Sequence, residues 1–238
     1  MVDDRQRSRP PALAHLRFAE RALDFAGLSP EAIFTEIWRS NLWGAETSRS
    51  GLGSEDDATT GLRAGLPALL DRLQVRTLLD LPCGDFGWMS RTTLHLDRYI
   101  GADIVDEIVA RNAATFRAGD GRVSFRKLDL LTDILPAADA ILCRDCFVHL
   151  SYANIGNALR NIRAGNLRWL IATTFPDHHE NQDAVDGDWR LLNMEAAPFR
   201  LSPAFAMLNE GCQEGGGAYA DKSLGVWRVA DIPASLNP

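Results

Sequence analysis

The chain has 238 residues, 46% apolar and 24% charged, which excludes the disordered and fibrous classes and, at about 150 residues per domain, suits one domain with an extension. Its 25 basic and 32 acidic residues leave a net charge of −7, so no general basic footprint for nucleic acid is present. No apolar run approaches the roughly 20 residues of a membrane span.

The N-terminus is charged and then amphipathic, without the apolar core of a signal peptide. Four cysteines in a chain of this length need not form a disulfide framework, and a reducing cytoplasm is the expected compartment. Leu13, Leu16, Phe18, Ala22, Leu23 and Phe25 recur at helical spacing, with Gly27 as a stop. Ser29, Pro30 and Glu31 form a helix start: a capping hydroxyl, a proline whose missing N–H is not needed, and an acid in the first turn. That helix presents Ile33, Phe34, Ile37 and Trp38 on one face and ends near Gly44. Residues 48–54 (SRSGLGS) read as a flexible loop, and a third helix runs from about 58 to 73.

From Thr77 the pattern changes. Strand-length apolar runs at 77–81, 99–102, 123–128, 138–143 and 169–174 alternate with helical stretches at 86–96, 105–116 and 152–162. Such alternation implies βαβ units and a parallel sheet with ligands at the carboxyl ends of its strands. After residue 174 the alternation stops. Residues 204–208 and 224–229 flank a glycine-rich segment at 211–217, which predicts a closing antiparallel strand pair joined by a mobile loop. The expected class is α/β: a doubly wound, mostly parallel sheet with an N-terminal helical cap and a C-terminal antiparallel strand pair.

The most informative segment is residues 78–88 (LLDLPCGDFGW), a buried strand running into a tight turn and then a helix, which aims backbone N–H groups at a ligand. A dinucleotide fingerprint needs glycines where Pro82, Gly84 and Gly87 stand, so its first glycine is missing. Asp85 would also meet a pyrophosphate with like charge. A cationic ligand reverses the sign, and S-adenosyl-L-methionine, which carries a sulfonium and an ammonium, is favoured by a carboxylate in this turn. Asp103 lies 23 residues after Asp80 at the end of the second strand, where a ribose diol requires an acceptor. Asp129 ends the third strand and Asp145 the fourth. One such aspartate reads as a cap or turn residue; four at consecutive strand ends read as a cofactor site.

This segment resembles the first motif of the class I S-adenosylmethionine-dependent methyltransferases, an acidic residue followed by alternate glycines after the first strand. Asp80, Pro82, Gly84 and Phe86 stand in that register, so one glycine of three matches. The resemblance covers roughly residues 75–175 and implies a Rossmann-like sheet, with residues 1–60 as a cap or lid and 61–238 as the methyltransferase domain. It implies that Asp129 receives the adenine amino group with Leu130 against the ring. Asp80, Pro82, Gly84, Asp85 and Phe86 are expected to bind the cofactor, together with Asp103, Ile104 and Arg144.

His149, four residues beyond Asp145, is the candidate base, and reads equally as a histidine packed beside the pocket with no proton to move. Asp145 is placed to orient a substrate amine or hydroxyl. Residues 38–44 and 50–54 look like a lid over the cofactor carboxylate, with Arg39 as its partner and Trp38 and Trp43 as core anchors. Residues 177–183 (DHHENQD) read first as a solvated loop, then as a site for a cationic acceptor. A metal held by His178, His179, Glu180 or Asp183 is the least favoured reading, because adjacent histidines do not share a helical face; no metal is expected. Residues 186–193 (DGDWRLLN) either hold a planar or anionic acceptor group or form a loop pinned by Trp189. Cys143 and Cys146, with Cys83 nearby, read as small apolar fillers.

The expected function is methyl transfer from S-adenosylmethionine to an oxygen or nitrogen of a small-molecule acceptor. A nicotinamide-dependent oxidoreductase and a non-catalytic adenosyl-ligand-binding module are the alternatives. No nucleic-acid or membrane partner is expected, and no feature sets an oligomeric state.

Overall fold

The structure, a computed structural model, describes residues 9–116 and 119–234; residues 1–8 of the expected cap lie outside the described residues. Among these, seven strands form one sheet: β1 (Thr77–Asp80), β2 (Arg98–Asp103), β3 (Val123–Lys127), β4 (Ala138–Cys143), β5 (Leu167–Thr174), β6 (Ala206–Asn209) and β7 (Ser223–Arg228). Their order is β3-β2-β1-β4-β5-β7-β6. β1 to β5 are parallel, and β7 runs antiparallel to both β5 and β6. The central strands are continuous apolar runs because both faces are covered. Leu79, Ile100, Ile141 and Leu170 face one core with Ile155, Leu159 and Ile162 of α6 (Tyr152–Ala164). Leu78, Leu142 and Ile171 face the other with Leu62, Leu66, Leu69 and Leu70 of α4 (Thr60–Arg72). α5 (Asp106–Thr115) packs along β2 and β3.

β1 lies between β2 and β4, so successive crossovers leave it in opposite directions and open a crevice at its carboxyl end. β7 contributes from its other end. Because it is antiparallel, its start pairs with the end of β5 (Ser223 with Thr174) and the end of β6 (Asn209 with Ser223). Glu210 and Lys222 therefore reach the same edge as the strand-end acids.

The N-terminal residues form α1 (Leu13–Glu20), α2 (Ala22–Phe25) and α3 (Pro30–Ser40). Arg21 divides the single helix expected there. Ser29 caps α3 by accepting the Ala32 N–H, and Asn41 ends it in a left-handed conformation. Phe18, Phe25, Ile33, Ile37 and Leu42 make a separate small core. The segment expected as a flexible loop closes in a short 3-10 turn, Leu52–Ser54.

One expected helix is absent. Residues 86–96 hold only a 3-10 turn at Met89–Arg91, for reasons that lie in the loop before it. Nor is the segment at 211–217 without structure: it makes a short turn at Glu214–Gly217, with Gly215 and Gly216 left-handed.

Gly187 sits where the small core meets the sheet, with φ +91° and its amide donating to the His149 carbonyl at 2.8 Å. A Cβ there would stand 2.5 Å from Ile33 Cγ2 and 2.9 Å from Phe18 Cε2. Gly187→Ala is expected to destabilise by about 1–3 kcal/mol in urea denaturation and to speed amide exchange in α1 and α3 ahead of β1 and β4. Unchanged protection of α3 in the variant would contradict this docking.

Candidate functional site

The turn after β1 is built from backbone donors and acidic acceptors. Gly84 has φ +53°, and a Cβ on it would meet Ser50 Oγ at 2.4 Å, so only glycine fits there. Its N–H donates to Asp103 Oδ2 at 3.1 Å, and its carbonyl accepts from Asn112 Nδ2 at 2.7 Å. The Asp85 N–H donates to Ser50 Oγ at 2.9 Å, and Asp85 Oδ1 accepts the Gly87 N–H at 3.0 Å. That side-chain turn competes with helix formation. Phe86 is left-handed (φ 59°), and its ring packs with Tyr99, Phe116 and Phe125 at centroid distances of 4.9–5.0 Å. Phe86 is thus a core residue, which corrects its assignment to the cofactor.

The strand-end acids meet in one cleft, each compensated differently. Asp80 is buried and accepts from the Tyr99 hydroxyl at 2.5 Å. Burial pushes its pKa up to about 7, against the pull of Tyr99 and Arg144. Asp103 accepts the Val105 N–H at 3.0 Å as well as that of Gly84; burial raises it to about 6. Asp129 accepts from the Leu131 N–H at 2.8 Å and the Thr132 hydroxyl at 3.0 Å.

Beyond β4 the site becomes a charge network. Arg144 is buried, pairs with Glu210 at 2.8 Å, donates to the Gly53 carbonyl at 2.7 Å and lies over the Trp88 ring at 5.5 Å. Asp145 has φ 48°, donates its N–H to Thr173 Oγ1 at 2.8 Å and pairs with Lys222 at 2.7 Å. Although burial opposes it, the Lys222 and Arg144 charges hold Asp145 well below the usual carboxylate range. His149 closes a 3-10 turn (Phe147–His149) and stacks on Trp43 at 4.6 Å. Its Nδ1 lies 2.8 Å from the Asp188 carbonyl. A carbonyl only accepts, so Nδ1 carries the proton and Nε2 is left as an acceptor. Burial lowers its pKa to about 4, leaving the ring neutral at pH 7.

The cleft encloses about 1110 Å³ of space, counting the part open to solvent. Asp80, Pro82, Gly84 and Asp85 line it, as do Asp103, Ile104, Asp129 and Leu130; Arg144, Asp145 and His149 complete the expected set. Trp38, Trp43 and Ser50, from the segments expected as a lid, also line it, as do Phe34 and Arg49, which the sequence did not mark for ligand contact. The indole N–H groups of Trp38 and Trp43 are buried with no partner among the described residues. Trp43, Ser50, Asp145 and His149 also border a second cavity of about 580 Å³ on the same measure.

The remaining candidates lie elsewhere, and the Arg39 expectation is corrected. Arg39 is exposed and pairs with Glu107, away from the cleft. Arg190 donates to the Phe147 and Leu150 carbonyls at 2.9 and 2.6 Å, so its guanidinium braces the His149 turn and does not receive an acceptor group. Asp186 accepts from Ser151 N–H and Asn154 Nδ2, both at 2.7 Å, and Asp183 from the Tyr152 N–H at 2.7 Å; these acids cap α6. His178, His179 and Glu180 line an outer groove, and no group of three or more metal-ligating side chains occurs among the described residues. No helix there is long and apolar enough to cross a membrane.

The fold built on this 3-2-1-4-5-7-6 sheet with an antiparallel β7 matches solved structures. The chain is similar to Haemonchus contortus phosphoethanolamine N-methyltransferase 1, solved with phosphoethanolamine and S-adenosylhomocysteine: TM-score 0.63, 12% identity, 87% of this chain and 51% of that one covered. The fold is that of the class I methyltransferases. A second methyltransferase domain, from bacterial CtHen1, matches with TM-score 0.52 and 14% identity over 71% of this chain and 96% of that one. The chain spans about half the length of the phosphoethanolamine methyltransferase. No protein-family model and no curated protein sequence matches.

The buried acids make stability depend on pH. Asp80 holds its proton to about 7 when folded, against 3.8 as an ordinary aspartate, so folding takes up a proton between those values and the contribution is lost as pH rises through them. His149, lowered on folding, acts in the opposite sense, so the comparison must be made against a variant. The stability of the wild type relative to Asp80→Asn, from urea denaturation, is expected to fall between about pH 5 and pH 8. A difference independent of pH would contradict the protonated Asp80.

Proposed function

We propose that this chain moves the methyl group of S-adenosylmethionine to an oxygen or nitrogen of a small-molecule acceptor. The carrying observation is the meeting of Asp80, Asp103, Asp129 and Asp145 in a cleft that continues past His149 into a second cavity. The residues suit the cofactor in charge and in kind. A carboxylate has about four acceptor positions, so Asp103 keeps room for a ribose diol after accepting two N–H groups. Ile104, Leu128 and Leu130 give apolar walls beside Asp129 for the adenine. Asp85 adds negative charge that favours the ammonium and sulfonium and repels a pyrophosphate, which speaks against the nicotinamide reading. In place of Arg39, the donors for the amino-acid carboxylate are Arg49, whose guanidinium lies 5.4 Å over the Trp38 ring, and the two unpartnered indole N–H groups.

When bound, S-adenosylmethionine supplies a methyl group activated by its positively charged sulfur. The chain's own contribution is alignment of the acceptor with the methyl group, an effect that can reach about 7–11 kcal/mol. Asp145, kept ionised by Lys222, orients an acceptor O–H or N–H. His149 offers Nε2 to the same proton. In this reading residues 1–60 serve as the cap of a transferase domain, 61–238, and of the cap residues described, Pro30, Phe34, Trp38, Trp43, Arg49, Ser50 and Ser54 line the cleft. Phosphoethanolamine in the similar Haemonchus structure is in keeping with a small acceptor, and the net charge of −7 is unfavourable for nucleic acid. Four free thiols agree with a reducing cytoplasm.

Equilibrium dialysis of variants tests the reading. Asp103→Ala is expected to weaken both S-adenosylmethionine and S-adenosylhomocysteine by about tenfold or more, and Asp85→Asn to weaken the charged ligand more than the neutral-sulfur one. Unchanged affinity for both ligands in Asp103→Ala would remove the ribose assignment.

A further inference from the structure

Past Trp43 and His149 the second cavity has walls and a charge balance of its own. Phe175, Trp189 and Tyr219 pack edge to face, with centroids 5.4–6.3 Å apart and planes 72–81° from one another. Their faces therefore look in different directions around one space, and Trp43 closes the side shared with the cleft. Such faces attract a cation through their quadrupoles.

The charges at the inner corner nearly cancel. Arg144 pairs with Glu210 at 2.8 Å, and Lys222 lies 2.7 Å from Asp145 and 3.7 Å from Glu210. Two cations thus face two carboxylates, and neither cation is left for an anionic guest. Glu214 is the remainder. It lines the same cavity and has no ion pair or side-chain hydrogen bond among the described residues. Burial raises its pKa and the Asp145 and Glu210 carboxylates add to the rise, against the pull of Lys222 and Arg144, whose direct ion pairs are with those two acids. Gly53 keeps this corner open: a Cβ there would stand 3.0 Å from Asp145 Oδ2, 3.1 Å from Lys222 Nζ and 3.6 Å from Glu214 Oε1.

We propose that this cavity binds the acceptor through a protonated or quaternary amine on a flat apolar body, with Glu214 as the residue that selects for its charge. The proposal rests on the methyl-transfer reading for the role of the guest as acceptor. The surplus carboxylate supplies the countercharge, and the aromatic faces take the body and the polarised N–H or N–CH3 groups.

The test is calorimetric titration of the full chain, with and without S-adenosylhomocysteine, using phenethylamine and its anionic counterpart phenylacetate as probes. Phenethylamine is expected to bind at least about tenfold more tightly, and Glu214→Gln to abolish that preference while leaving S-adenosylhomocysteine affinity unchanged. Glu214→Asp, which keeps the charge but withdraws it, is expected to retain part of the preference. Equal affinity for the two probes, or a preference that survives in Glu214→Gln, would overturn the assignment. If phenethylamine shows its Glu214-dependent preference but S-adenosylhomocysteine does not bind, the amine site stands and the methyl-transfer reading falls.

Discussion

Four carboxylates drawn to one edge of a sheet repel one another and resist leaving water. Each is compensated by a different device. Asp80 leans on the Tyr99 hydroxyl and keeps a proton to near neutral pH. Asp103 is wrapped by the N–H groups of Gly84 and Val105. Asp129 satisfies its own turn through Leu131 and Thr132. Asp145 alone is given full counter-charges, from Lys222 and Arg144. The gradient runs from Asp80 and Asp103, whose pKa burial raises, to Asp145 beside β4, held fully ionised. The proposed methyl transfer asks for such a gradient, with the nucleoside at one end and the acceptor proton at the other.

This dependence ties remote parts of the chain together. Lys222 and Glu210 reach the site only because β7 is antiparallel and begins at the carboxyl edge. The closing strands are therefore part of the site's electrostatics as well as of the sheet. The N-terminal segment is tied in by Ser50, whose hydroxyl receives the Asp85 N–H, and by Gly53, whose carbonyl receives Arg144. A change in the cap is felt directly at the turn after β1.

The alternation of apolar runs and helical stretches was enough to find the five parallel strands, since buried parallel strands and amphipathic helices leave unlike patterns, and the glycine-rich segment between two apolar runs marked the antiparallel pair. The strand-end aspartates were legible for the same reason: topology alone brings strand ends together. The helix expected over 86–96 failed because the Asp85 side chain takes the Gly87 N–H and Phe86 turns left-handed to reach the aromatic core, a local competition that apolar spacing does not register. Arg39 and Arg49 are both exposed cations near the cap, and only the path of the loop after Trp43 decides which faces the cleft. Glu210, Glu214 and Lys222 carried no signal at all, because their roles depend on strand direction and on pairing across more than 60 residues of sequence.

Calorimetric titration of the unmodified chain with S-adenosylmethionine, S-adenosylhomocysteine and reduced nicotinamide adenine dinucleotide tests most directly whether the acidic cleft is a site for a cationic nucleoside. Micromolar binding of both adenosyl ligands, with none of the dinucleotide, is the expected result. Binding of the dinucleotide, or of neither adenosyl ligand by folded protein, would contradict it.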